Sequence, residues 1–149
     1  MPIVDVTTEI AIAAKPERVA EFACNPDNAP LWYVNINSVV WKTPPPLKIG
    51  SQIAFTAQFL GRRLSYMYEI AEWIPGEKLV MKTADGPFPM ETTYTWHPVN
   101  KHGTLMKLRN RGNQLGFSKW FAPFMSLMMK KANKKDLLHL KTLLEHSNL

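Results

Sequence analysis

The stretch FPMETTYTWHPVNKHGTLMKLRNR, residues 88–111, reads as two strands joined by a short turn. In its second half Lys107, Arg109 and Arg111 fall at every other position, which puts them on one face and leaves Thr104, Met106 and Leu108 on the other. In its first half Glu91 points away from Met90, Thr92, Tyr94 and Trp96. Unpaired charges are costly to bury, so Glu91, Lys107 and Arg109 fix which side of the sheet meets water. The turn from Asn100 to Gly103 is too short for a parallel crossover, which needs a dozen residues or more, so the two strands are antiparallel.

The same alternation extends backwards. Strands are predicted at Val34–Lys42, Ser51–Leu60, Arg63–Trp73, Lys78–Ala84, Phe88–His97 and Thr104–Arg111, separated by Pro44-Pro45-Pro46, Gly50, Gly61, Pro75-Gly76 and Asp85-Gly86-Pro87. They form an antiparallel meander. Its inner face groups Ile53 with Phe55, Ala57 and Phe59, Leu64 with Tyr66, Tyr68 and Ile70, and Leu79 with Met81. Ahead of it, Ile3, Val4, Val6, Ile10 and Ile12 alternate with Asp5, Thr7 and Glu9 as a first strand. Lys15-Pro16-Glu17 then starts a helix, with proline where a missing N–H does least harm, and Asn25-Pro26 ends it. Asp27 is placed to cap a second, very short helical turn before Trp32. The last element, about Lys119 to His146, is a long helix with Pro123 in its first turns.

With 149 residues the chain has the length of one ordinary domain, and 1–149 is read as a single unit with no linker or repeat. A single cysteine, Cys24, excludes an intramolecular disulfide and a Cys-based zinc site. No segment approaches the roughly 20 apolar residues of a membrane span. Asp5 and Glu9 stand where a secretory signal would place lysines and an apolar run, so a cytoplasmic protein is expected. A net charge of +6 speaks to solubility and encounter rather than to fold. Eight methionines and an aromatic content of 11% favour an adaptable apolar interior.

Several short motifs follow one another in a telling order. Val6-Thr7-Thr8-Glu9-Ile10 precedes Ala14-Lys15-Pro16-Glu17-Arg18-Val19; then come Leu47-Lys48-Ile49-Gly50-Ser51, Tyr68-Glu69-Ile70, Pro75-Gly76-Glu77-Lys78-Leu79 and Gly103-Thr104. Together they resemble the START-like (SRPBCC) superfamily over nearly the whole chain, nearest to its polyketide cyclase/dehydrase-like branch. The resemblance implies an α+β helix-grip fold of the START/Bet v 1-like kind. In that fold a curved antiparallel sheet of about seven strands wraps around a long C-terminal helix, with two short helices after the first strand. It implies an internal cavity for a small hydrophobic ligand, and it does not fix a reaction.

Under that expectation the cavity is lined from the strands by Phe55, Phe59, Tyr66, Tyr68, Met81, Met90, Tyr94 and Met106. The last helix adds Phe121, Met125 and Met128, which share one face with Met129 and Ala132. The competing reading is that these side chains pack tightly and leave no void. Asp136 breaks the apolar line continued by Leu140 and Leu143. A buried carboxylate needs a partner or a raised pKa, so Asp136 is expected to have a hydrogen-bond partner and little exposure, either as a structural tie or as an acid/base aimed inward.

Other chemistry is thin. The four histidines share no metal-ligand spacing with each other or with carboxylates, and no metal or cofactor is expected. Cys24 is read as an inert buried thiol, and no catalytic constellation is evident. Lys119, Lys130, Lys134 and Lys141 form a helix face that is either simply solvated or a weak contact for an anionic membrane. No nucleic-acid module is present. The leading function is binding or transport of a lipid or an aromatic, polyketide-like molecule by a monomer or homodimer. The alternatives are a cyclase/dehydrase-like enzyme acting on such a ligand and a protein-interaction module.

Overall fold

The computed structural model describes residues 4–59, 61–85, 89–112 and 122–146, with side chains at all of these except 59, 84, 85 and 122–125. Strand β1 (Val4–Ile12) leads into helix α1 (Pro16–Cys24), a 3₁₀ turn at Pro26–Asn28 and the short helix α2 (Ala29–Trp32). Six strands follow: β2 (Ile36–Trp41), β3 (Gln52–Phe59), β4 (Arg62–Ile74), β5 (Lys78–Asp85), β6 (Met90–Val99) and β7 (Gly103–Gly112). Helix α3 (Ala122–Glu145) closes the order. All neighbouring strands pair antiparallel in one sheet, in the order β1-β7-β6-β5-β4-β3-β2. This is the helix-grip arrangement that the sequence led one to expect.

The local reasons are the expected ones. Pro16 opens α1 in its first turn, and Asn25 Oδ1 accepts the amide of Asp27 to start the 3₁₀ turn. Gly76 takes φ +79° in the β4–β5 hairpin, a conformation that costs glycine little. Alternation holds across β6 and β7: Thr92, Tyr94, Trp96, Thr104, Met106 and Leu108 are all buried. The outward charges meet each other instead, with Arg109 donating from Nε and Nη2 to the Asp5 carboxylate at 2.8 and 2.6 Å.

Three details depart from the sequence reading. β2 begins at Ile36, not Val34, because the Val34 amide leaves the ladder to donate to Asp136. Register shifts in β4, between Met67 and Tyr68 and again between Ile70 and Glu72, interrupt a regular pairing with β5. Extra residues of this kind bend a strand and increase its twist. The third concerns α3. Among the described residues its buried side chains are Asn133, Asp136, Leu137, Leu140 and Leu144, so the core-facing stripe there runs through Leu137 and Leu144, while Met128, Ala132 and Leu143 lie at its half-exposed margin. α3 packs chiefly against β1, and Thr104 Oγ1 donates to the carbonyl of Ala14 at 2.6 Å to tie β7 to the start of the first helical segment.

Candidate ligand cavity

Between the inner face of the sheet, α2 and α3 lies a cavity of about 200 Å³. The strands contribute its floor. Phe55 comes from β3, Tyr66, Tyr68 and Ile70 from β4, Leu79 and Met81 from β5, Met90, Thr92 and Tyr94 from β6, and Asn110 from β7. The roof is Trp32 and Tyr33 at the end of α2 with Met129, Ala132, Asn133 and Asp136 of α3.

The aromatic rings brace one another. Trp32 lies 4.0 Å from Tyr33 and edge-on to Tyr94 at 5.8 Å, and Phe55 meets Tyr68 edge-on at 5.8 Å. The Tyr33 and Tyr94 hydroxyls hydrogen-bond to each other across the roof–floor divide. On the opposite side Thr92 Oγ1 donates to Asn110 Oδ1 at 2.6 Å. Burial pushes the phenols up: Tyr66 to about 12, Tyr68 upward, and Tyr33 and Tyr94 well above the ordinary tyrosine range. They remain neutral hydroxyls at any ordinary pH.

Asp136 is 4% exposed, and its Oδ1 accepts the Val34 amide at 2.9 Å. Loss of water raises its carboxyl from 3.8 to about 6, opposed by the Val34 N–H and the nearby His139. Three residues earlier on the same helix face, Asn133 is 5% exposed, and its Nδ2 finds no acceptor among the described residues. Cys24 also lines the cavity, but burial raises its thiol to about 12, so it offers no thiolate. Among the described residues no cation lines the space, and no group of three or more His, Cys, Asp or Glu side chains is placed to hold a metal.

Of the lining residues expected from sequence, Phe55, Tyr66, Tyr68, Met81, Met90 and Tyr94 stand around this one space. Met106 does not: it is wholly enclosed, in one core cluster with Leu108 and Leu140. Met128 does not either, because the helix turns it toward a surface depression shared with Val34, Asn35 and Gln58. Phe121 and the side chains of Phe59 and Met125 lie outside the described residues. Asn110, Asn133, Trp32 and Tyr33 are among the wall residues absent from the sequence expectation. Asn110 follows from continuing the alternation of β7 one step past Leu108, and Asn133 from its place one turn before Asp136. Trp32 and Tyr33 sit at the end of a four-residue helix, where no periodicity can show which way a side chain turns.

The sequence pattern of the family described as polyketide cyclase / dehydrase and lipid transport matches residues 4–145. The chain belongs to that family. Solved structures agree in fold. A START superfamily protein from Mycobacterium smegmatis superposes with a TM-score of 0.72 at 17% identity, covering 95% of this chain and 94% of that one. The aromatase/cyclase from Streptomyces sp. R1128 gives 0.78 at 10% identity, covering 93% and 91%. The major latex-like protein of Panax ginseng gives 0.70 at 14% identity, covering 95% and 94%. Identities this low speak for the fold alone. No curated protein matches the sequence. Among the described residues no helix is long and apolar enough to cross a membrane.

Proposed function

We propose that the protein binds a compact hydrophobic molecule between the sheet and α3. The observation that carries this reading is the void itself. Protein interiors normally leave few spaces larger than a water molecule, yet here about 200 Å³ stays open among rings and methionines. That is below the ~300–1,000 Å³ of pockets for drug-sized ligands and above the ~150 Å³ apolar cavity known to take up benzene. The fitting ligand therefore has one or two rings or a short branched chain. Membership in a family described by both cyclisation and lipid transport agrees with a hydrophobic cargo.

A second reading, a cyclase or dehydrase, draws on Asp136. Its carboxyl titrates near 6 close to the Tyr33 hydroxyl, which is where an acid/base group is useful. Recovery of a chemically changed compound after incubation with the purified protein would favour it.

Ala132 tests the binding reading. It lies at the boundary between the cavity and the adjoining surface depression, so a large side chain there has room to settle while filling the roof. Unmodified protein is expected to take up naphthalene, followed by fluorescence, and Ala132→Trp to weaken uptake at least tenfold with an unchanged circular dichroism spectrum. Failure of the unmodified protein to bind any such probe sinks the proposal.

A further inference from the structure

The cavity is apolar over most of its wall, but its roof is not. Asn133 and Asp136 stand three residues apart on α3, a spacing that sets their Cβ atoms about 5–6 Å from each other on one helix face. Both line the cavity and both are more than nine-tenths buried. Each has bonding capacity left over. Asn133 Nδ2 is a donor without an acceptor, and Asp136 spends only Oδ1, on the Val34 amide, with no donor to its second oxygen among the described residues.

Leaving a buried amide donor unpaired costs about 1–3 kcal/mol, so a site that keeps one open is poised for a partner that supplies an acceptor. Trp32 Nε1 and Trp96 Nε1 are also unpaired; Trp96 does not line the cavity, whereas Trp32 and Asn133 both do, and Asn133 stands there one helical turn from the Asp136 carboxylate. The partner must satisfy a donor and an acceptor within one helical turn. A single hydroxyl does both: its proton goes to Asp136 and its lone pair receives the Asn133 N–H.

Charge narrows the choice. No lysine, arginine or histidine lines the space among the described residues, and its one carboxylic acid there is Asp136. A carboxylate or phosphate entering here would lose its water, meet no cation and lie beside a like charge. The rest of the wall, Trp32, Tyr33, Phe55, Tyr66, Tyr68 and Tyr94, presents rings to rings.

We infer that Asn133 and Asp136 form a hydroxyl clamp, and that the cavity selects a neutral, one- or two-ring hydroxylated aromatic, a phenol in the broad sense, over both its unsubstituted hydrocarbon and its carboxylate analogue. This rests on the proposal that the cavity binds ligand at all, and it adds the chemical class and the residues that choose it.

Three probes of similar size separate the two claims: naphthalene, 2-naphthol and 2-naphthoate, titrated at pH 7.5 by fluorescence. The unmodified protein is expected to bind 2-naphthol about tenfold or more tighter than naphthalene, the worth of a pair of well-formed hydrogen bonds, and 2-naphthoate weakest of the three. Asn133→Leu, which removes one bond of the pair, is expected to cut the naphthol-to-naphthalene affinity ratio by about threefold or more. Asp136→Asn, which keeps an acceptor for Val34, is expected to raise the relative affinity of 2-naphthoate by removing the like charge. Both variants are compared by ratio, so a general loosening of the fold does not imitate the result. Equal binding of naphthalene and 2-naphthol, or a ratio untouched by Asn133→Leu, overturns the clamp while leaving the binding proposal standing. No binding of any probe overturns both.

Discussion

At the scale of single residues, Asp136 joins stability to pH. Its carboxyl sits near 6 in the folded protein against an ordinary 3.8, with burial as the main cause and Tyr33, Tyr94 and His139 as the other titratable groups around it. The folded state therefore holds this proton more tightly than the unfolded chain does. The advantage is complete below about 3.8 and is lost as pH rises through about 6, and the gap between those two values sets its ceiling at about 3 kcal/mol. Asp136→Asn cannot titrate and still accepts the Val34 N–H. Urea denaturation of both proteins at pH 4 and pH 8 is expected to show the variant gaining on the wild type at the higher pH, by up to about 3 kcal/mol. Asp5 and Glu145, whose carboxyls are held low by Arg109 and Lys141, titrate equally in both proteins and drop out of the comparison. An equal difference at the two pH values would mean that Asp136 is not desolvated. This residue was legible in the sequence because a charge interrupts an apolar line. Its neighbour Asn133 was not, since an asparagine on a lysine-rich helix looks like any solvated residue until the cavity is seen.

At the scale of elements, the C-terminal end of α3 is stapled to the start of the chain. Glu145 accepts the Ala13 amide at 2.8 Å and Lys141 Nζ at 2.6 Å, and Lys141 also donates to the Ala11 carbonyl at 2.9 Å. Lys141 first holds the Glu145 carboxyl below its usual range, with the Ala13 N–H next, so this support is present above pH 4.5 and fades as the carboxylate gains its proton. Glu145→Ala is expected to cost about 1 kcal/mol and to speed hydrogen exchange of the amides at 141–145, read by mass spectrometry. Unchanged exchange there would leave the staple without a role. Sequence spacing put Lys141 on a basic helix face with Lys119, Lys130 and Lys134. Lys130 and Lys134 are indeed exposed, whereas Lys141 turns back to the β1–α1 junction, which no helical wheel could foretell. The strands fared better. Each predicted span lies within two residues of the observed one, because charges at alternate positions leave one acceptable face.

At the scale of the whole molecule, an occupied cavity should stabilise the fold that forms it. A ligand present at a hundred times its dissociation constant adds about 2.7 kcal/mol, which for a domain of this size raises Tm by roughly 5–10 °C. Saturating 2-naphthol is expected to do so for the unmodified protein and not for Ala132→Trp, in a calorimetric scan; a Tm raised equally in both would place the ligand elsewhere. The sequence by itself determined the strands and their inward faces, the antiparallel run from β2 to β7, the long last helix and the family, since these follow from local periodicity, turn chemistry and motif order. Tertiary structure alone decided the rest. β1 closes the sheet against β7 with Val4 opposite Gly112, a pairing across more than a hundred residues that no local pattern encodes. The phase of α3 against the sheet moved the buried stripe to Leu137 and Leu144, enclosed Met106 and left Asn133 and Asp136 above an open space. A cavity is a volume left between elements, and its walls are fixed only when those elements meet.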